Sequence, residues 1–347
     1  MNRELLSQKR LICNTLMRIF AIVVTMSITI SGSLSVKADE KVSVAYDYPI
    51  TIYSSEWKEL KSVEERRIAC AVPIELLEKM TTEALVETVV KYPLFIDVYA
   101  YDSIIQGFQA LGNYFKGVEV WLSRSDALDW LEDYASKETT RTVSTDISFF
   151  NADLLIDYLP VYRMVRSETE KDSQMRVSCG PAIYTPNGTE VPTSWWDPYT
   201  GYYEQNRFYG LTWADHNTNQ TTEEAIMYTY LAAYPSTVLV ASVNPKYNCH
   251  SYSWYSQSTS NQYWINDPWV YIDDGSYSQT PSRAAGVKVV YLNTVLTCIE
   301  HSAIIVTPPT TSTPASVISK WSHNGLFRHD IDDCPFVGTN ISKYYYN

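Results

Sequence analysis

The chain has 347 residues, with 39 acidic side chains against 27 Lys plus Arg and a formal net charge of −12. Hydrophobic residues make up 45% and charged residues 19%, enough apolar material for a true core and too little charge for a disordered chain. An acidic balance without basic runs excludes a nucleic-acid footprint, because phosphate binding needs clustered Lys and Arg.

The first 38 residues differ from the rest. Arg3, Lys9, Arg10 and Arg18 form a basic leader, an apolar stretch runs from Ile19 to Ile30, and Val36-Lys37-Ala38 precedes the acidic pair Asp39-Glu40. That order describes a secretory signal peptide over 1–38. Its apolar core is near a dozen residues, short of the roughly 18–20 that span a bilayer, so a secreted product with no stable membrane span is expected. Cleavage leaves Cys70, Cys179, Cys249, Cys298 and Cys334. Five is odd, so at least one thiol stays unpaired in a monomer. Without a CxxC spacing there is no signal for structural zinc, and no metal or cofactor is expected.

After an extended lead-in over 39–60, residues 61–175 read as a helical domain. Pro73 can open a helix carrying Leu76, Leu77 and Met80. Thr81 or Thr82 caps the next, with Leu85, Val86, Val89 and Val90 on one face, and Tyr92-Pro93 ends it. Further helices fit Ile104 to Tyr114 and the run after Asp126, whereas 136–178 is mixed in character. This half has no His and one Cys, which places nucleophilic chemistry elsewhere.

Residues 176–347 change to Pro, Gly, Tyr and short strands, an α+β pattern. Ser194 to Trp213 is an aromatic, loop-rich stretch, readable as local packing or as a stacking surface for sugar or peptide. A helix capped near Thr221 is stopped by Pro235, and Val238 to Val243 is a β-branched strand candidate. Asp273-Asp274-Gly275 and Asp330 to Asp333 lack the alternating ligand loop of a calcium site and read as turn chemistry.

Chemistry concentrates in the run Asn248-Cys249-His250-Ser251-Tyr252. A thiol at the start of a helix faces the positive end of the helix dipole, which favours thiolate, the nucleophilic form. His301 opens a later apolar strand, His301-Ser302-Ala303-Ile304-Ile305-Val306, from which an imidazole can cross a sheet edge toward a helix start. The expected contact is Cys249 sulfur within about 4 Å of a His301 ring nitrogen. His250 is expected to point elsewhere, since neighbours on a helix diverge.

A Cys at a helix head, the strand Gly286-Val287-Lys288-Val289-Val290-Tyr291, the His301 strand and a third strand, Ser316 to Trp321, together resemble the papain-like NlpC/P60 and CHAP cysteine peptidases and amidases. The likeness covers about 240–335. It implies a papain-like domain with the Cys helix packed on an antiparallel sheet, and amide hydrolysis in bacterial cell-wall peptides by Cys249 with His301 as general base and acid. The family's third residue is His, Asn or Glu on the following strand. Here that strand offers Ser319, with His329 just beyond, so His329 suits by residue type and Ser319 by position. The usual Gly-Asp before the first strand is Gly286-Val287. Trp254, Trp264, Trp269 and Tyr271 are candidates for the wall of a substrate cleft, or for core packing. The rival expectation is an inactive secreted surface protein that binds glycan or peptide through its aromatic loops.

Overall fold

The computed structural model describes residues 41–138, 147–167, 182–195, 220–265, 267–295, 298–338 and 340–347. Residues 1–38, where a signal peptide is expected, all but the first two residues of the aromatic stretch, and Cys179 lie outside the described residues.

Helices build the first half: α1 (Val63–Ala69), α2 (Ile74–Lys79), α3 (Thr82–Val90), α4 (Ile104–Gly112), α5 (Gly117–Leu122), α6 (Ala127–Glu138) and α7 (Ser148–Ser167). The capping chemistry is local. Ser62, Thr81 and Ser103 each accept from the backbone N–H three residues on, satisfying a donor that a helix start leaves open. The region expected to be mixed contains α7, a 20-residue helix. Its interior Pro160 argues against a helix on local grounds, but Leu154, Leu155 and Leu159 fall on one face and are fully buried, and that packing prevails.

The second half begins with a short strand, β1 (Thr193–Trp195), and α8 (Gln220–Ala233), followed by β2 (Val238–Ala241) and β3 (Tyr263–Ile265). A last helical turn, α9 (Val270–Asp273), leads into β4 (Lys288–Asn293), β5 (Cys298–Thr307), β6 (Ser316–Lys320), β7 (Leu326–Asp330) and β8 (Ile341–Tyr346). Six strands pair in the order β2-β7-β6-β5-β4-β8, antiparallel throughout, and β1 pairs with β3 in a separate ribbon. Gly286 turns the chain into β4 with φ of 90°, a backbone region that L side chains disfavour. The architecture is α+β with helices gathered in the N-terminal part. No described helix is long and apolar enough to cross a membrane.

Side chains alternate across each strand, so the sheet has two chemically distinct faces. Val289, Tyr291, Ala303, Ile305, Val317 and Phe327 point to one, where they join the buried residues of the helical half in a single core. That core runs unbroken from Tyr48 to Tyr345, and the Trp57 indole donates to the Ala233 carbonyl across it at 3.0 Å. Ile304 and Ile318 point to the other face, against Tyr247 and Tyr252. Asp97 ties the halves together, accepting from the hydroxyls of Tyr114 and Tyr234 at 2.6 Å each.

Candidate active site

Cys249 and His250 lead into one π-helical turn, Ser251–Tyr255, that lies against the second face of the sheet. Asn248 shapes this entry. Its side-chain oxygen accepts from the Ser251 N–H at 3.0 Å, and its amide donates to the Ile265 carbonyl at 3.0 Å and to the Asp102 carboxylate at 2.7 Å. Asp102 precedes α4 and reaches over from the helical half. The result is a Cys–His–Asp group in which the Cys249 sulfur, a ring nitrogen of His250 and a carboxylate oxygen of Asp102 all lie within 4.8 Å of one another. Cys249 and His250 are buried, and Asp102 is half-buried.

Two residues of the sheet complete the surroundings. Ser302 sits on β5 with its hydroxyl 2.9 Å from Nδ1 of His250 and accepts from the Trp254 indole at 2.9 Å. Lys320, at the end of β6, is fully buried and donates to the carbonyls of Ser322 and Asn324. Burial dominates the electrostatics. It pushes the Cys249 thiol well above its usual range, Asp102 adds to the shift, and the backbone N–H groups of Ser302 and His250 work against it. Burial holds His250 down to about 3 and Lys320 down to about 7, and lifts Asp102 to about 6. At neutral pH the resting site therefore holds a protonated thiol and a neutral imidazole.

The expected partner does not meet the sulfur. His301 and Ser302 are consecutive on β5 and point to opposite faces; Ser302 takes the Cys249 side. The His301 ring stacks flat on Phe336, with centroids 3.6 Å apart and 3° between planes, and Tyr291 flanks it at 5.4 Å. Neither of its ring nitrogens has a hydrogen-bond partner, so a contact with Cys249 sulfur is absent. The expectation that His301 serves Cys249 as base is thus corrected by strand alternation.

Both third-residue candidates lie on that same far face. Ser319 and His329 bond to each other at 2.9 Å, the Trp321 indole donates to Ser319 at 3.1 Å, and Nδ1 of His329 meets the Asp330 carbonyl at 2.9 Å. A carbonyl only accepts, so Nδ1 carries the proton and Nε2 accepts from the Ser319 hydroxyl. This relay is closed and serves the core, not Cys249.

The aromatic cleft candidates resolve toward packing. Trp254 stacks on Tyr271 at 5.7 Å inside a satellite core, and the Trp264 indole is buried against the Pro245 carbonyl at 2.8 Å. Trp269 packs partly buried beside them. The described cysteines Cys70, Cys249, Cys298 and Cys334 are all free thiols. The acidic turns are engaged internally: Asp274 with Thr185 and the Ser276 N–H, Asp333 with Arg66, and Asp332 with Lys343.

Asp102 is the member of this group that the sequence reading did not single out. In the run Tyr101-Asp102-Ser103 both polar residues look like helix caps. Ser103 takes that role, and Asp102, one residue outside the helix, accepts from Asn248 instead. No family model, curated protein or solved structure matches the chain.

Proposed function

We propose that the protein is a secreted cysteine hydrolase of amide bonds in cell-wall peptides, with Cys249 as nucleophile and His250 in the base position that His301 was expected to fill. The observation that carries this reading is the convergence of thiol, imidazole and carboxylate within 4.8 Å. Ser302 engages Nδ1 of His250, leaving the other ring nitrogen to take the thiol proton as sulfur attacks the carbonyl carbon. The Asp102 carboxylate then stabilises the imidazolium, and the imidazolium returns the proton to the leaving amine. Water hydrolyses the thioester in the second half of the cycle. The backbone N–H groups of Ser302 and His250, already directed at the sulfur, are candidates to hold the oxyanion. The substrate class and the papain-like fold rest on the resemblance to NlpC/P60 and CHAP proteins over 240–335, and the secreted location rests on the signal-peptide pattern of residues 1–38.

The test is labelling of the mature protein with an electrophilic peptide-amide mimic, followed by digestion of purified cell wall. Labelling confined to Cys249, lost in Cys249→Ala, with new free amines released from the wall, supports the reading. A labelling rate equal to that of the denatured chain sinks it. One observation favours an alternative, a surface protein on the same scaffold without activity: Cys249 is 2% exposed, and burial keeps its thiol protonated. In that case the wall sediments with the protein and stays intact.

A further inference from the structure

We infer that Asp102, Cys249 and His250 form a binding site for a divalent metal ion of the zinc type. The donor set is a thiolate sulfur, an imidazole nitrogen and a carboxylate oxygen, the mixture that borderline-soft ions such as zinc and cobalt(II) accept in tetrahedral sites. The three donor atoms lie within 4.8 Å of one another, close enough for one ion to bridge them after small side-chain adjustments.

A second, independent feature supports the assignment: two of the three ligands already have the outer contact that metal ligands use. Metal-binding imidazoles engage an acceptor through the ring nitrogen facing away from the ion, and ligating carboxylates are themselves hydrogen-bonded. His250 Nδ1 lies 2.9 Å from Ser302 Oγ, so this assignment gives Nε2 to the ion, and Asp102 accepts from Asn248. Thiolate and carboxylate together balance a 2+ ion. The buried Lys320 ammonium is directed at the carbonyls of Ser322 and Asn324, so a bound ion does not displace its contacts. Binding releases the thiol proton to solvent and forms a sulfur–metal bond, with no change of oxidation state. With three protein ligands, the fourth position is left for water or another small donor.

This site does not depend on the hydrolase reading. If that reading holds, the ion occupies the nucleophile and zinc inhibits turnover. If it fails, the metal site stands by itself.

The experiment uses the mature chain stripped with a chelator and titrated with cobalt(II), following the sulfur-to-cobalt charge-transfer absorption in the near ultraviolet. One equivalent is expected to saturate the band, and zinc to displace it. Cys249→Ser removes the band. Asp102→Asn keeps the band and weakens binding by about tenfold or more, since losing a ligand costs at least as much as losing a ligand's outer partner. Far-ultraviolet circular dichroism confirms that both variants are folded. No band in the folded native chain overturns the proposal, as does a band that survives in Cys249→Ser, which assigns the metal to another cysteine.

Discussion

The two faces of the six-stranded sheet carry the same pattern of a tryptophan, a serine and a histidine, and they finish it differently. On the core face the Trp321 indole donates to Ser319, Ser319 donates to His329, and His329 ends the chain on the Asp330 carbonyl. On the other face the Trp254 indole donates to Ser302, and Ser302 meets Nδ1 of His250. There a ring nitrogen of His250 lies within 4.8 Å of a thiol sulfur and a carboxylate oxygen. A closed relay with every donor matched is a structural device. The other ends in a buried cluster of imidazole and thiol with the Asp102 carboxylate beside it. The proposed function places chemistry on the Cys249 face and rigidity on the His301 face.

The sharpest way to break this assignment is kinetic. If His250 takes the proton from Cys249, His250→Ala slows alkylation of that thiol by a small amide electrophile by about 100- to 10,000-fold, the usual span for losing a general base. Mass spectrometry of the labelled chain, with Cys70, Cys298 and Cys334 as internal references, gives the ratio. An unchanged rate removes His250 from the mechanism and returns Cys249 to the status of a core thiol.

The complementary substitution lies on the other face. Phe336 is 1% exposed, stacks on His301 and meets Tyr101 edge-on at 5.1 Å. Phe336→Ala is expected to cost about 3–5 kcal/mol in urea unfolding, the range for emptying a buried aromatic position. In the population that remains folded, the alkylation rate of Cys249 is expected to stay as in the native chain. A parallel loss of thiol reactivity means that the two faces are coupled through the sheet.

Most of the strands and helices were legible because their signals are local. Thr81 caps α3, Pro235 follows α8, and the apolar runs at 238, 288, 301 and 316 became β2, β4, β5 and β6. Leu326–Asp330 escaped because Arg328, His329 and Asp330 hide its period of two; only its pairing with β2 and β6 shows it as a central strand. The site was half legible. Cys249 drew attention through its position, but choosing its partner required the phase of β5, and a one-residue change of phase moves a side chain to the opposite face. His301 had the right residue type on the wrong parity. Asp102 was invisible, because a carboxylate before a helix is ordinary and its reach to Asn248 is tertiary.

A pH series separates the faces by their protons. Burial holds His329 down to about 4, and a second proton would place two donors nose to nose, the Ser319 hydroxyl and Nε2–H. Asp333 and the Asp330 carbonyl, the other polar groups facing this ring, pull the pKa upward but do not offset burial. The folded pKa lies below the unfolded value near 6.5. Stability is thus full above about pH 6.5 and falls as the pH drops toward 4, because the unfolded chain binds the proton first. At about 1.4 kcal/mol per pH unit, His329 alone accounts for about 3 kcal/mol across that window. Urea unfolding at several pH values should show a shallower decline for His329→Gln than for the native chain. Equal slopes mean that the Trp321–Ser319–His329 relay does not hold a neutral imidazole.

The smallest expected effect is the most diagnostic. His301 is fully buried with both ring nitrogens unpartnered, and burial together with His329 and His250 holds it neutral. Deleting a partner from a buried hydrogen bond is costly, but replacing an already unpartnered polar group with an apolar one is close to neutral. His301→Leu gives up the stack on Phe336 and gains freedom from an unsatisfied imidazole, so unfolding free energy should change by no more than about 1 kcal/mol. Alkylation of Cys249 should keep its native rate, because strand parity directs position 301 away from the sulfur. If His301 acts as base, the fold is equally stable but the thiol no longer reacts. Measured side by side with His250→Ala, the substitution decides which of two histidines, 51 positions apart in the sequence, shares a face with the nucleophile.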